Sequence, residues 1–507
     1  MPVYDEQSTA GPPLQLAPGF SFRKLLSDVA VYSSGNLLIK GFSLISAPIF
    51  TRIFDPAQYG AWSLINIMVT LLTGILLLGG DNAYTRYFFL CKSEVEKQTL
   101  TATWFSFLAI WSIVVVLAIL PFSGTLSAWM MGEENYRAAW VIGLLSSPLM
   151  MMNLIIAQAL RSQFRAKEFA LFNVATAVLT ISFSVIFVLV FKLGVAGAVL
   201  GAAAASLLMI PLRLWAVRSL LKFSFSVVFL KQLLLFGLPL VPMNIAFWLL
   251  SNADRMMLAR LATFDAVGLY TIAGSLAAVI MLLQTSIGQS WLPHGIKIYE
   301  EDSSAAKVVF RRTLVMFLAG SGFIIVGFTA LAQEVLFVLV PPVYYLAFIP
   351  IPYLAAGFVF FTSAHVSVVA IMAKNKTVYI MIACWLVALI NIGLNALLIP
   401  RFGMAGAGAA TGIAYMLFAA GYALVSKRLW PVSYPVKTIV LLLAVPLAGI
   451  AAIAAIAHHG PGIAVNLLLK LAVLAACGLL LAATAGRHEE KSLRELIQLG
   501  KTMFIRR

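Results

Sequence analysis

A lysine stands near the middle of an apolar segment that reads YSSGNLLIKGFSLISAPIF over residues 32–50. Four polar residues of this segment recur at spacings of three or four, which places them on one face of a helix: Ser33, Asn36, Lys40 and Ser43. An ammonium group within a bilayer costs about 2.5–3.5 kcal/mol even on a lenient scale, and no acidic residue lies mid-span to offset that cost. We therefore interpret Lys40 and its neighbours as lining a water-filled cavity or binding an anion.

Two further apolar segments carry polar residues at helical spacing. One has Asn66 and Thr70, and another has Asn244, Ser251 and Arg255. Such stripes are costly when they face lipid, so we expect them to face one another or water. The alternative for the threonine, serine and asparagine side chains is ordinary hydrogen bonding between helices, which is common in membranes.

The elements that position these residues are membrane-spanning helices. Of the 507 residues, 62% are hydrophobic and 11% are charged, compared with about 45–50% and about 25% in soluble domains. Apolar runs of about 20 residues, the length that spans a bilayer, recur along the chain. We place about 14 of them, so the sequence predicts an all-α polytopic membrane protein.

The distribution of basic residues orients these spans. With the N-terminus inside, 27 of the 35 lysines and arginines fall in inner segments and 6 in outer loops, as the positive-inside rule requires. Both termini are therefore expected in the cytoplasm. The net charge of +16 then reflects topology rather than a nucleic-acid partner.

An internal repeat divides the chain. The segment KLGVAGAVLGAAAAS (192–206) resembles RFGMAGAGAATGIAY (401–415) at an offset of 209 residues, and FDPAQYGAW (54–62) resembles FDAVGLY (264–270) at nearly the same offset. Parallel repeats of this kind occur in transporters that bind their substrate between two halves. We therefore expect two six-helix lobes around a central cavity, followed by two C-terminal helices.

The expected domain boundaries follow from this repeat. Residues 1–28 are expected to form a polar cytoplasmic tail that is not a cleavable signal peptide. The later segments are a first lobe at 29–217, a basic amphipathic linker at 218–232, a second lobe at 233–426, the two C-terminal spans at 427–485 and a basic cytoplasmic tail at 486–507.

Few residues suit catalysis or ion coupling. Asp254 and His365 are candidates for coupling transport to an ion, and the respective alternatives are a structural ion pair and a satisfied core histidine. The three cysteines are far apart, and neither a metal-ligand spacing nor a phosphate-binding loop motif occurs in the sequence. We therefore expect a protein that is not an enzyme, with no catalytic residues, no metal site and no cofactor.

Three stretches resemble bacterial polysaccharide flippases of the O-antigen type, which belong to the multidrug/oligosaccharidyl-lipid/polysaccharide exporter superfamily. SAPIFTRIFDPAQYGAWSLI (46–65) is similar to the first loop between helices in that family, and NADRMMLARLATFDAVGLYTIAGSLAAVI (252–280) is similar to the stretch after its seventh helix. The glycine-rich FGMAGAGAATGIAY (402–415) is also typical of the family. The resemblance covers about residues 25–430.

This resemblance implies two lobes that form a V around a cavity and alternate between inward-open and outward-open states. The implied substrate is an oligosaccharide repeat unit linked to undecaprenyl pyrophosphate, flipped across the bacterial inner membrane for exopolysaccharide or lipopolysaccharide synthesis. Cavities in this family are often cationic, which agrees with Lys40, Arg52 and Arg255. The implied protein partners are a polysaccharide polymerase or export machinery.

Three alternative functions remain open from the sequence. A multidrug exporter of the same superfamily would favour buried acids in its cavity, whereas this sequence offers Lys40. A peptidoglycan lipid flippase would also have fourteen spans and a basic cavity. In a membrane scaffold for a polysaccharide synthase, the polar helix faces would be inaccessible to water.

Overall fold

The computed structural model describes residues 46–131, 136–222, 224–301, 303–374, 376–459 and 463–505, and helices dominate these residues. In chain order the helices are α1 (46–53), α2 (Pro56–Leu76), α3 (Gly80–Leu90), α4 (Glu94–Ile119), α5 (Ser123–Met131), α6 (Arg137–Ser162), α7 (Ala166–Leu189), α8 (Gly194–Ala216), α9 (Val227–Gly237), α10 (Val241–Leu261), α11 (Phe264–Glu301), α12 (Ser303–Leu339), α13 (Ile351–Ala373), α14 (Thr377–Leu429), α15 (Val436–His459) and α16 (Ile463–Ile505). Short 3₁₀ segments lie at Leu120–Phe122, Arg218–Leu220, Leu238–Leu240 and Pro342–Phe348.

Within the described residues, eleven helical stretches are long and apolar enough to cross a membrane. The first predicted span, at 29–50, lies almost wholly outside the described residues. The predicted eighth span, at 267–290, begins with the shorter apolar helix Phe264–Ile280, and the predicted eleventh and twelfth spans, at 378–399 and 405–426, run together in Val378–Leu429. The chain is therefore an all-α polytopic membrane protein, as its composition predicted.

Local sequence sets where several helices begin and bend. Asp55 caps α2 by accepting a hydrogen bond from the backbone N–H of Gln58 at 2.8 Å, and Pro56 occupies the first turn. Gly194 starts α8 and Gly403 bends α14, both with φ of +54°, a value that glycine adopts without steric cost. These two glycines are 209 residues apart, so both copies of the repeated segment have a glycine with positive φ at the equivalent position.

The helices form two groups. In the first group, α6 packs against α2, α4 and α8, and α7 packs against α8. In the second group, α13 packs against α11, α12 and α14, and α10 lies along α14. Helix α2 meets α10 and α11, which brings the two groups into contact. Helix α9 packs on α3 and α4, so the chain passes from one group to the other across the 3₁₀ break at Leu238–Leu240.

A buried ion pair fastens the C-terminal helices to the second group. Lys470 on α16 is fully buried, and its Nζ lies 2.7 Å from Glu334 Oε1 and 2.8 Å from Gln333 Oε1 on α12. Helix α15 also packs on both α12 and α16. A buried ammonium needs such a partner, because an unpaired charge in an apolar interior is strongly destabilising.

Candidate functional site

A polar cavity of about 310 Å³ lies where α2 faces α10 and α11. The residues that line it are Tyr59, Trp62, Ser63, Asn66, Ile67 and Thr70 of α2, Asn252 and Arg255 of α10, and Thr271 of α11. The cavity therefore brings together three of the predicted site residues, Asn66, Thr70 and Arg255, from two different lobes.

The polar side chains of α2 bond mainly to their own helix. The amide nitrogen of Asn66 donates to the carbonyl oxygen of Trp62 at 2.9 Å, and the Thr70 hydroxyl donates to that of Ile67 at 2.7 Å. One contact crosses to α10, where the indole nitrogen of Trp248 donates to Thr70 Oγ1 at 3.4 Å. Bonding between helices thus explains Thr70 only in part, and Asn66 in the cavity wall retains a carbonyl oxygen that can accept a ligand hydroxyl.

Arg255 is the only charged residue among the described residues that line this cavity. Its Nη1 donates to the carbonyl oxygen of Ser251 at 3.0 Å, and its guanidinium carbon lies 5.6 Å from the centre of the Tyr270 ring. The side chain is 18% exposed. A guanidinium has five N–H donors in a planar fork, which suits two-point binding of a phosphate. These contacts hold Arg255 at the wall and leave it able to bind an anion.

Asp254 is buried beside the cavity and joins three helices of the second group. Its Oδ2 accepts a hydrogen bond from the Tyr270 hydroxyl at 2.6 Å, and the Thr411 hydroxyl lies 3.5 Å from the same oxygen. Its Oδ1 accepts from the backbone N–H of Arg255 at 2.8 Å and lies 3.8 Å from that residue's guanidinium. Asp254 therefore links α10 to α11 and α14.

The remaining predicted cavity residues are not among the described residues that line the cavity. Four fall outside the residues that the structure describes: Ser33, Asn36, Lys40 and Ser43. Arg52 is exposed and donates to the carbonyl oxygens of Pro48 at 2.7 Å and Leu339 at 3.3 Å. It therefore links α1 to the end of α12 and does not line the polar cavity.

Two predicted residues of α10 and the histidine also lie outside the cavity wall. Asn244 and Ser251 are exposed, and the Ser251 hydroxyl donates to the carbonyl oxygen of Phe247 at 2.9 Å. His365 on α13 is half-buried, with Nδ1 3.3 Å from the carbonyl oxygen of Phe361 and its ring 5.2 Å from the Phe361 ring. His365 thus sits among aromatic side chains, away from the cavity lining.

The aromatic part of the cavity wall was not predicted from the sequence. The rings of Tyr59 and Trp62 lie 5.4 Å apart and meet edge to face. Both precede Asn66 on the same face of α2, at spacings of three and four, so extending the polar stripe by two turns would have found them. Thr271 gives a weaker signal, because Ser275 is the one serine or threonine that follows it at helical spacing within 264–280.

An apolar cavity of about 370 Å³ lies on the opposite side of the contact between α2 and α10. Its lining includes Met68, Met130, Trp140, Trp248 and Met256. Such a surface suits hydrocarbon and offers few partners for sugar hydroxyls. The polar cavity is therefore the better site for a hydrophilic group.

The two lobes touch closely beside the polar cavity. A Cβ atom added to Gly60 would lie 2.9 Å from the backbone nitrogen of Gly268, and one added to Gly268 would lie 2.9 Å from the carbonyl carbon of Pro56. One turn further along, the hydroxyl oxygens of Ser63 and Thr271 are 2.9 Å apart. Glycines at 60 and 268 thus allow α2 and α11 to meet backbone to backbone.

In a comparison with known families, residues 25–299 match the family model described as polysaccharide biosynthesis protein. No curated protein sequence matches the chain.

Comparison with solved structures gives several chains of similar fold. A lipid II flippase, MurJ, in an inward closed conformation has 15% sequence identity and a TM-score of 0.70, covering 90% of this chain and 99% of its own. An inward-facing multidrug resistance transporter of the MATE family and MOP superfamily has 15% identity and a TM-score of 0.63, covering 77% and 94%. A MATE transporter from Vibrio cholerae has 15% identity and a TM-score of 0.58, covering 80% and 96%. At these identities the similarity establishes the fold.

Proposed function

This chain belongs to the polysaccharide biosynthesis protein family, and we propose that it flips oligosaccharide repeat units linked to undecaprenyl pyrophosphate across the bacterial inner membrane. The observation that carries the proposal is the polar cavity between the lobes, with Arg255 in its wall. A single guanidinium among hydroxyl, amide and aromatic groups suits a ligand that joins an anionic phosphate to neutral sugars.

In this proposal the head group enters the cavity while the polyprenyl tail stays in lipid. Arg255 pairs with the pyrophosphate, and Asn66, Ser63 and Thr271 replace water around the sugar hydroxyls. The aromatic rings of Tyr59 and Trp62 contact the C–H groups of the sugars. Lys40, outside the described residues, is proposed to add a second cation to the same surface. Rocking of the lobes then exposes the head group on the other side.

The membrane potential supplies a driving force for this direction of movement. A bacterial cytoplasm is negative inside, and the pyrophosphate carries about two negative charges. Moving two charges through the whole field gains about 4.6 kcal/mol per 100 mV. Binding to Arg255 must then remain modest, because the head group has to leave on the outer side.

We also propose Asp254 as the residue that takes a coupling ion, either a proton or Na⁺. Its carboxylate joins α10, α11 and α14 through Tyr270 and Thr411. Neutralising it would weaken these bonds and alter how α10, which carries Arg255, packs on the second lobe. In Asp254→Asn, flipping should no longer respond to H⁺ or Na⁺ gradients, whereas His365→Gln should keep the response. A retained response in Asp254→Asn would refute this assignment.

The experiment that tests the main proposal is complementation of cells that lack their native flippase. Wild type, Arg255→Ala, Arg255→Lys and Lys40→Ala are compared at matched membrane expression, and surface glycan is measured. Arg401→Ala serves as the control, since Arg401 is an exposed cation remote from the cavity lining.

We expect wild type and Arg401→Ala to restore surface glycan and Arg255→Ala to lose at least tenfold in rate. Arg255→Lys should retain part of the activity, because the positive charge remains while the planar guanidinium, which can bind a phosphate through two N–H donors, is lost. Normal flipping by Arg255→Ala would remove Arg255 from the site. Failure of wild type with every glycan, together with export of cationic drugs or restoration of peptidoglycan lipid flipping, would favour the alternative transporters.

A further inference from the structure

A second polar cavity, of about 420 Å³, lies away from the contact between the lobes. It is enclosed by α12, the segment between α14 and α15, and the facing parts of α15 and α16. The polar residues that line it include Arg311, Tyr434, Thr438, Thr484, Arg487 and His488. None of these lines the polar cavity beside α2, so this is a separate site.

The predicted topology places this cavity at the level of the membrane surface. Arg311 is near the start of the apolar stretch Ala306–Leu339, Thr438 is near the start of Val436–Ala457, and Arg487 is at the end of Val465–His488. These three ends lie on the predicted cytoplasmic side. Trp430 lies close by in sequence, with its ring 4.8 Å from that of Tyr299, and such aromatic groups are typical of the interface.

The lining of this cavity is basic and rich in hydrogen-bond donors. Two arginines and a histidine line it with four hydroxyl-bearing residues, Ser433, Tyr434, Thr438 and Thr484. Burial raises the pKa of Tyr434 to about 12, so its hydroxyl stays protonated and can donate at neutral pH. This combination of charge and donors recognises a phosphate.

The apolar surface next to the cavity indicates what the phosphate is attached to. Leu441 forms part of the lining and is 52% exposed, and its neighbour Val440 is 55% exposed. A free phosphate ion would gain nothing from these side chains. A phosphodiester with acyl chains would place its head group on the arginines and its chains along α15.

We propose that this cavity binds the head group of an anionic phospholipid of the cytoplasmic leaflet. Basic pockets between transmembrane helices on that side are suited to such head groups. A lipid there would contact α12, α15 and α16 together and strengthen the attachment of the C-terminal helices to the second lobe. The proposal does not depend on which substrate the polar cavity binds.

The test is native mass spectrometry of the purified full chain with defined lipids. Wild type is compared with Arg487→Gln, with Arg311→Gln/Arg487→Gln, and with the control Lys192→Gln/Arg401→Gln, which removes two exposed cations elsewhere. Phosphatidylglycerol, phosphatidylcholine and inorganic phosphate are the probes. Arg487 is exposed, so its replacement leaves the packing of α16 intact.

We expect wild type and the control to retain one more phosphatidylglycerol molecule than the double variant, and Arg487→Gln to bind it several-fold more weakly than wild type. Equal retention by wild type and the double variant would refute the site. Equal binding of phosphatidylcholine would refute recognition of the net negative charge. Displacement of phosphatidylglycerol by inorganic phosphate at equal concentration would refute the lipid assignment. Flipping is not measured, so failure here is distinct from failure of the proposed transport function.

Discussion

Gly60 lies where α2 crosses α11, and replacing it with alanine should push the two lobes apart at that point. The added Cβ would lie closest to the carbonyl oxygen of Phe264, and it would lie 2.9 Å from the backbone nitrogen of Gly268. Both are backbone atoms that cannot rotate away. The substitution is therefore expected to move one helix relative to the other.

The size of the effect follows from these distances. Ordinary contact for a Cβ begins at 3.4 Å, and the nearest backbone oxygen lies about 1 Å inside that distance, so the helices must separate by about 1 Å. Overpacking of this kind costs about 1–3 kcal/mol. The cost falls only on the state in which the lobes touch here, so the equilibrium should shift about 5- to 150-fold toward the separated state.

Accessibility of a cysteine at Asn66 measures this shift. The contact lies at the predicted outer end of the cavity, so a thiol reagent that cannot cross membranes should reach this cysteine slowly in intact cells. Gly60→Ala should raise the labelling rate, and Gly268→Ala should do the same, because its Cβ would lie 2.9 Å from the carbonyl carbon of Pro56.

Gly74→Ala is the matched control. Gly74 lies on the same helix, and a Cβ there would meet nothing within 4 Å. The reasoning would be refuted if labelling in Gly60→Ala and Gly268→Ala were as slow as in Gly74→Ala while all three proteins reached the membrane folded.

Two other predictions concern residues outside the cavity. Glu334→Gln should lower the free energy of unfolding by about 3–5 kcal/mol, because it leaves Lys470 buried without its counter-ion. Adding Lys470→Met should restore most of the thermal stability measured in detergent, and a double variant as unstable as Glu334→Gln would contradict the ion-pair explanation. Burial of the Cys91 thiol raises its pKa, and the negative charge of Glu96 raises it further. Alkylation of Cys91 should therefore be slow at pH 7.5, rise with pH, and be faster at pH 7.5 in Glu96→Gln; equal rates would show that Glu96 does not act on the thiol.

Sequence periodicity predicted the helical fold and which helix faces carry the polar residues of the candidate cavity, because both depend on single helices. The face shared by Asn66 and Thr70 follows from helix geometry alone, and the cavity does bring them together with Arg255. The glycines at 194 and 403 were visible as a repeat, and both have a positive φ. Such features need no knowledge of which helices are neighbours.

Contacts between distant helices were not accessible in this way. The partner of Lys470 is Glu334, which lies 136 positions away on α12. Glu334 is one residue beyond the end of the span predicted at 313–333. Similarly, the pairing of Asp254 with Tyr270 and Thr411 depends on how α10, α11 and α14 pack. Helix packing in membranes depends on shape, and apolar sequences carry little information about which shapes match.

The meeting of Gly60 with Gly268 and of Ser63 with Thr271 has a consequence for how the chain can evolve. Both pairs are separated by 208 residues, nearly the offset of the repeat. Equivalent positions therefore face each other across a local two-fold axis, as they would in a homodimer of half-length subunits. In such a dimer one substitution would alter both sides of the contact at once. Joined in a single chain, each side can change separately, which has allowed a serine to stand opposite a threonine.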